Sequence, residues 1–416
     1  MLKRWRIRIL LFLAILGPGF ITANVDNDSG GILTYSQAGA QYGYALLWTM
    51  IPITIALTVI QEMNARMGVV TGKGLSDLIR EEFGLRFTFL LMVVLVVVNF
   101  TNVVTEFIGI AGSLHLFHVT KFVSVPICAA LVWLMVVKGN YKTTEKVFLV
   151  ASLVYITYIF AGVLSQPNWS QALRATVRFP EESVWRDKAY VYMSIGIVGT
   201  TIAPWMQFYL QSSIVEKGIR PKNFAALRLD VVVGSLFQDL VAWFIVVACA
   251  ATLFVHGMGS IQVASDAAEA MRPLAGDYAF ILFAFGLFNA SLFAASILPL
   301  STAYTVCEGL GVESGVDKSF KEAPFFYWLY TLLIVGGGAT VLILPDAQLI
   351  NFAILSQVLN GVLLPVVIIL MLLLINRADL MGEHKNSRLG NAVAWSTSII
   401  VIAMTLVMLW GMMPGH

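Results

Sequence analysis

The sequence predicts an all-α membrane protein: a single domain of eleven transmembrane helices in which the first and the sixth are broken. Three observations carry this prediction. Of the 416 residues, 58% are hydrophobic and only 12% are charged, whereas a soluble domain carries about 25% charged residues. Runs of about 20 apolar residues, the length that crosses a bilayer as a helix, recur along the whole chain. Two of those runs are interrupted at corresponding places, five spans apart.

In order, the spans are 8–43 (interrupted), 45–66, 87–113, 119–138, 145–165, 189–215 (interrupted), 225–255, 277–309, 324–344, 348–375 and 391–413. The opening MLKRWRIRILLFLAILGPGF has the charge and apolar run of a signal peptide. No small-residue cleavage site follows, however, and the run leads directly into a polar break, so it reads as a retained first span. The polar connections are charged asymmetrically. One set holds 20 of the 26 basic residues, among them Lys3, Arg4, Arg6, Arg8, Arg66, Lys73, Lys217 and Arg228. The other holds six: Lys121, Arg174, Arg178, Arg186, Lys188 and Arg272. The positive-inside rule then places the N-terminus in the cytoplasm and the C-terminus outside, in a multi-pass protein of the plasma (inner) membrane. The longest loop, near 166–188, is external on this reading. Cys128, Cys249 and Cys307 lie singly in apolar segments and form neither a disulfide framework nor a thiolate site.

The first break is VDNDSGGIL, residues 25–33, and the second lies in GIVGTTIAPWMQFYLQSS, where Ala203 and Pro204 follow a Gly/Thr-rich stretch. Because the offset of five is odd, a second five-helix unit enters the membrane from the opposite side. Repeat one therefore covers about 8–165 and repeat two about 189–375, with an additional helix at 391–413. Matched interruptions in two inverted halves point to a midplane binding site in a transporter. Pro204 by itself is compatible with a simple kink.

A charged side chain at the bilayer centre costs about 2.5–3.5 kcal/mol even on lenient scales, so Asp26 and Asp28 are functional candidates. Adjacent carboxylates repel unless a cation or a proton lies between them. Gly30 and Gly31 let the backbone leave the helical basin and turn carbonyl oxygens toward a cavity. Clustered hard oxygens suit a divalent cation. One aspartate is expected to cap the second half-helix. That role is assigned to Asp26, as a structural or vestibular residue, which leaves Asp28 for direct contact with the cation.

GPGF at 17–20, GAQYGYALLW at 39–48, ARMGVVTGKGLSDLIRE at 65–81, YLQSS at 209–213 and LSQVLNGVLLP at 355–365 resemble the Nramp metal-ion transporters. The resemblance runs through essentially all eleven spans. It implies a LeuT-like 5+5 inverted repeat and a proton-coupled Mn²⁺/Fe²⁺ importer, with the metal held between an Asp-Pro-Gly-Asn motif in helix 1 and a Met-Pro-His motif in helix 6. Those motifs fall on Asp28-Ser29-Gly30-Gly31 and on Ala203-Pro204-Trp205, the alignment being looser beyond Pro204. The aspartate is kept, while the coordinating asparagine has become Gly31, the methionine Ala203 and the histidine Trp205.

Each departure has a chemical direction. A thioether favours Mn²⁺, Fe²⁺ and Cd²⁺ over Mg²⁺ and Ca²⁺, and here it is gone. Loss of the asparagine implies a wider, wetter pocket in which one carboxylate and backbone carbonyls hold a hydrated ion, as suits Mg²⁺. The chain thus resembles the Nramp-related magnesium transporter branch. By the same resemblance, the carbonyls of Val25 and Thr200, three residues before Asp28 and Ala203, are expected to be ligands directly or through water. Gln357 matches the family's helix-10 glutamine. Of the family's proton route, helix 3 keeps Glu106 but has Val103 where an aspartate belongs, and helix 9 contains no basic residue. His115, His118, His256, His384 and His416 all lie away from mid-membrane. The expected mechanism is therefore uniport of Mg²⁺, and of Mn²⁺ with it, by alternating access. The membrane potential drives it, at about 2.3 kcal/mol per charge per 100 mV.

Asp239, and Asp230 nearer the cytoplasmic end, lie in the seventh span and either line a pathway or pack. Glu62 reads as interfacial, and Trp205 as filling space left by small neighbours, with a place along the pathway as the other role considered for it. Alternatives are an ordinary proton-coupled Mn²⁺/Fe²⁺ importer, a cationic amine or amino-acid carrier on the same fold, or a sensor that no longer transports. An enzyme is not expected, since HExxH, GxSxG and paired histidines are lacking. The expected partners are divalent ions, as substrate and not cofactor, and the lipid bilayer. Neither nucleic acid nor an obligate protein partner is expected.

Overall fold

The computed structural model describes residues 17–139, 141–180, 186–257, 259, 261, 268 and 272–411. Positions 8–16 of the first expected span, 412–413 of the last, and the basic residues Lys3, Arg4, Arg6 and Arg8 lie outside these. Among the described residues every regular element is helical. In chain order they are α1 (Pro18–Val25), α2 (Ser29–Tyr42), α3 (Met50–Thr71), α4 (Leu75–Phe83), α5 (Leu85–His115) and α6 (Lys121–Val137). There follow α7 (Tyr141–Val154), α8 (Ile156–Leu164), α9 (Trp169–Val177), α10 (Lys188–Thr201), α11 (Pro204–Glu216) and α12 (Phe224–Cys249). The last are α13 (Arg272–Leu310), α14 (Pro324–Ile343), α15 (Asp346–Ile375), α16 (Ala378–Met381) and α17 (Arg388–Gly411).

Among the described residues, seven helical stretches are long and apolar enough to cross a membrane by themselves. Other expected spans have visible reasons for falling short. The first and sixth are divided into α1/α2 and α10/α11, each piece being at most 14 residues. α3 carries Gln61, Glu62, Asn64 and Arg66 in its second half, and α6 has 17 residues. Apolar side chains such as Leu90 and Val97 on α5, Leu332 on α14 and Leu406 on α17 are exposed, as helices facing hydrocarbon require.

Local chemistry explains both interruptions. At the end of α1 the amides of Asp26 and Asn27 turn back to the carbonyls of Ala23 and Asn24 at 3.3 and 3.1 Å, tightening the last turn. α10 ends at Thr201 with Ile202 as its C-cap, and Ala203 is extended at φ −70°, ψ 142°. The ring of Pro204 disfavours the helical basin for the residue before it, and proline then suits the first turn of α11.

α15 reaches the breaks because its backbone touches that of α10. A Cβ on Gly199 would meet the Gly361 Cα at 2.8 Å, and one on Gly361 would meet the Ile195 carbonyl oxygen at 2.7 Å. Small residues permit this approach between membrane helices, and Gln357 lies one turn before the contact.

Candidate cation site at the two helix breaks

Asp28 is the N-cap of α2. Its backbone is extended, and its Oδ1 accepts the Gly31 amide at 2.6 Å. This corrects the sequence assignment, which gave the cap to Asp26. Both aspartates are good N-caps, but the helix restarts at Ser29, so only Asp28 has the register to reach the amide three residues on. Capping and ion contact are compatible, because the cap engages one oxygen of the carboxylate.

Ser29 was missed by the sequence reading. Its amide donates to Glu106 Oε2 at 3.1 Å, and its hydroxyl to Glu106 Oε2 at 3.0 Å and to the Thr105 carbonyl at 2.7 Å. The family's proline at this position has no amide to donate. The available signal was a hydroxyl residue directly after the cap. Through this contact the Glu106 carboxyl on α5 comes to interact with that of Asp28.

Two backbone carbonyls lose their helical partners here. The amide that would serve Val25, that of Ser29, is diverted to Glu106. The residue that would serve Thr200 is Pro204, which has no amide. Val25 and Thr200 were the carbonyl candidates, and they flank the two breaks. The Thr200 hydroxyl also has no partner among the described residues.

Gly31 ties the breaks together. A Cβ there would lie 2.5 Å from the Asp26 carbonyl oxygen, 3.0 Å from Thr200 Oγ1 and 3.5 Å from Asp28 Oδ1. At Gly30 a Cβ would collide with the Gln357 side-chain amide and lie 3.2 Å from Asp28 Oδ1. Asp28, Gly31, Thr200 and Gln357 therefore converge. The wide, wet pocket inferred from the missing asparagine is not what this conformation holds at Gly31. The vacated space is filled by the Asp26 carbonyl and Thr200, and Asp28 is only 2% exposed. Packing of one break on the other closes the space that the side-chain loss opened.

Gln357 is held by a polar net that the sequence reading did not single out. Asn360 Nδ2 donates to Gln357 Oε1 at 2.9 Å and to Asn102 Oδ1 at 3.0 Å, and Asn102 Nδ2 returns a bond to Asn360 Oδ1 at 3.0 Å. Asn102 precedes Glu106 by one helical turn on α5, so one face of that helix carries both groups. Polar residues at helical spacing inside NFTN and SQVLN were the signal.

Asp26 turns the other way. It lies toward the Ala203 amide, while Asn27 Nδ2 donates to the Gln238 carbonyl on α12 at 3.0 Å. Gln238 Nε2 reaches the Thr201 carbonyl at 3.3 Å, and the Tyr35 and Thr201 hydroxyls share a bond of 2.7 Å. Asp239 is buried beside this group. Trp205 is fully buried against Tyr209, with ring centroids 6.4 Å apart, and its carbonyl accepts Ser301 Oγ at 3.1 Å. It packs and brings no imidazole-like ligand. Asp230 caps the amino end of α1, and Glu62 pairs with Arg66 at 3.0 Å. Among the described residues no three His, Cys, Asp or Glu side chains converge as a resident metal site.

The Nramp family model, described as "Natural resistance-associated macrophage protein-like", matches residues 19–411. The divalent metal cation transporter MntH of Pediococcus pentosaceus is 27% identical over 419 residues, covering 95% of this chain and 91% of its own length. MntH of Ralstonia nicotianae is 28% identical, with coverages of 97% and 92%. Among solved structures, a manganese transporter of Eremococcus coleocola, in complex with an aromatic bis-isothiourea substituted compound, superposes with a TM-score of 0.76 at 22% identity, over 95% of this chain and 86% of that one. MhsT in complex with L-phenylalanine gives 0.62 at 14% identity, over 94% and 97%. At these identities the structural likeness speaks for the fold alone.

Proposed function

As the chain belongs to the Nramp family, we propose that it imports Mg²⁺, and Mn²⁺ with it, as partly hydrated ions by alternating access without an accompanying proton. Members of the family are transporters and not enzymes, and metal is their substrate and not a resident cofactor. The all-helical LeuT-type fold of the solved neighbours is read here as eleven spans in a 5+5 inverted repeat, N-terminus inside and C-terminus outside.

The observation that carries the proposal is the donor set at the two breaks. Asp28 and the carbonyls of Val25 and Thr200 are hard oxygen donors, Gln357 in this conformation turns its Nε2 to Gly30 and its Oε1 to Asn360, and Ala203 and Trp205 contribute neither sulfur nor imidazole. The nearby Met206 thioether is already engaged by Gln61 Nε2 at 3.4 Å. Hard oxygens with few direct protein ligands suit Mg²⁺, which dehydrates reluctantly. The uncoupled mechanism has separate support. Val103 is buried, and a Cβ on Gly337 of α14 would meet its Cγ1 at 2.7 Å. Where the family resemblance implies a carboxylate facing the basic ninth helix, this chain has an apolar contact.

The ordinary reading, a proton-coupled Mn²⁺/Fe²⁺ importer, is favoured by the names of the relatives and by Glu106 standing beside Asp28 as a proton carrier. An amino-acid carrier is disfavoured because Asp28 itself occupies the amino end of α2, where a substrate carboxylate would bind.

The test is flux into proteoliposomes with internal pH read simultaneously. Mg²⁺ is expected to compete with Mn²⁺ entry while internal pH stays flat. Acidification that tracks metal entry removes the uncoupled mechanism, and indifference to Mg²⁺ returns the protein to the ordinary reading.

A further inference from the structure

The two carboxylates of the first break serve different neighbourhoods. Asp28 faces Ser29, Glu106 and Gln357. Asp26 faces the Ala203 amide and α12. We propose that Asp26 and Asp239 hold a second hard divalent cation, separate from the one at Asp28, as a transient station on the same ion path; this rests on the transport reading above.

Proximity comes from the Asn27–Gln238 hydrogen bond of 3.0 Å, which joins the residues directly flanking the two aspartates. Asp26 lies within electrostatic range of Asp28 first and of Asp239 after it, and Tyr35 lies within range of all three. They are 1% and 4% exposed. Asp26 Oδ2 and both oxygens of Asp239 lack a hydrogen-bond partner among the described residues, as do Asn27 Oδ1 and Gln238 Oε1. The Thr54 hydroxyl approaches Asp239 without closing a bond of ordinary geometry. No lysine, arginine or histidine among the described residues pairs with either aspartate.

Five unpartnered oxygens thus lie on four buried residues, two of them aspartates, in two segments that the Asn27–Gln238 bond joins. Each orphaned buried acceptor carries a desolvation cost, and like charges in a low dielectric repel. A small divalent cation that keeps some water removes both penalties at once, and oxygen-only donors select a hard ion. Two carboxylates are too few for a resident structural metal. A modest site is nevertheless what conduction needs, favourable enough to enter and weak enough to leave. The Gly31 contact, with the Asp26 carbonyl on one side and Asp28 on the other, makes the two stations neighbours that share one backbone turn.

Binding stoichiometry distinguishes this proposal from its premise. Purified full-length protein is dialysed to equilibrium against radiolabelled Mn²⁺, with Mg²⁺ as competitor. Two ions per chain are expected for wild type, one for Asp28→Ala, one for Asp239→Asn and none for the double variant. A single ion in wild type, lost entirely on Asp28→Ala and untouched by Asp239→Asn, overturns the second station and leaves the transport reading standing. Binding that Asp28→Ala does not reduce overturns the reading at Asp28 instead. Size-exclusion profiles report whether each variant folds. Should Asp239→Asn lose its monodisperse peak, Asp26→Asn and the charge-preserving Asp239→Glu decide, the first expected to remove one ion and the second to keep it.

Discussion

Asp230 Oδ1 accepts the amide of Gly17 at 2.8 Å, joining α12 to the amino end of α1 across 213 residues of sequence. The same carboxylate takes the Gly19 amide at 2.8 Å on Oδ2 and that of Phe20 at 3.1 Å on Oδ1. Three of the orphan amides at a helix start are thus served by one negative charge, which also complements the helix dipole. The Lys217–Glu145 ion pair lies alongside. The first half-helix is therefore clamped at its amino end, while its other end carries the break.

Removing this clamp is expected to loosen α1. Asp230→Ala leaves buried amides unserved, at about 1–3 kcal/mol each. A lower thermal midpoint is expected, together with faster labelling of a cysteine placed on α1. Asp230→Asn, which keeps an acceptor oxygen, is expected to lie between this variant and wild type. An unchanged midpoint and labelling rate would show that the clamp holds nothing.

Asp28→Asn separates the charge of this residue from its capping. The amide oxygen still accepts from Gly31, so stability should fall by less than the roughly 0.5–2 kcal/mol typical of losing a cap. Metal flux should nonetheless be abolished. Thermal unfolding and liposome flux on the same preparation check both halves, and flux near the wild-type level would take Asp28 out of the ion path.

Gly31→Asn restores the family's ligand but has nowhere to put it in this conformation. Its Cβ would lie 2.5 Å from the Asp26 carbonyl, and overpacking of this kind costs about 1–3 kcal/mol. Reduced thermal stability and slowed flux are expected. Wild-type stability would mean that the two breaks are less closely packed than described.

Ala203→Met returns a thioether to the second break. A soft ligand shifts preference toward soft ions, so competition by Cd²⁺ against Mn²⁺ should strengthen and competition by Mg²⁺ should weaken. The ratio of the two inhibition constants, read in one flux assay, tests this. An unmoved ratio would place residue 203 outside the coordination sphere.

Part of this candidate site was legible in the sequence. Asp28 stood out as a charge in an apolar span, Gly31, Thr200 and Gln357 through the alignment that the family resemblance implies, and the structure brings these four together. Which aspartate caps α2 was not legible: two aspartates two residues apart both satisfy the composition rule, and the choice turns on where the helix restarts. The closed space at Gly31 was hidden for a similar reason. A missing side chain suggests a cavity only where nothing else fills its place, and here the Asp26 carbonyl oxygen lies 2.5 Å from where a Cβ on residue 31 would be. Ser29 and the Asn102–Asn360 net escaped because a single polar residue in a membrane helix has an equally common local partner, the carbonyl one turn back.

By itself the sequence pointed to a membrane-embedded helical chain, to two interrupted apolar stretches and, through the family resemblance, to a candidate site without sulfur or imidazole. These follow from hydropathy, from the missing amide of proline and from side-chain chemistry, all of which act within a few residues. The tertiary structure decided where each carboxylate of the first break points. The Ser29 amide meets Glu106 across 77 residues and Asn27 meets Gln238 across 211. Directions set by partners so far along the chain depend on how whole helices pack, which no local pattern encodes.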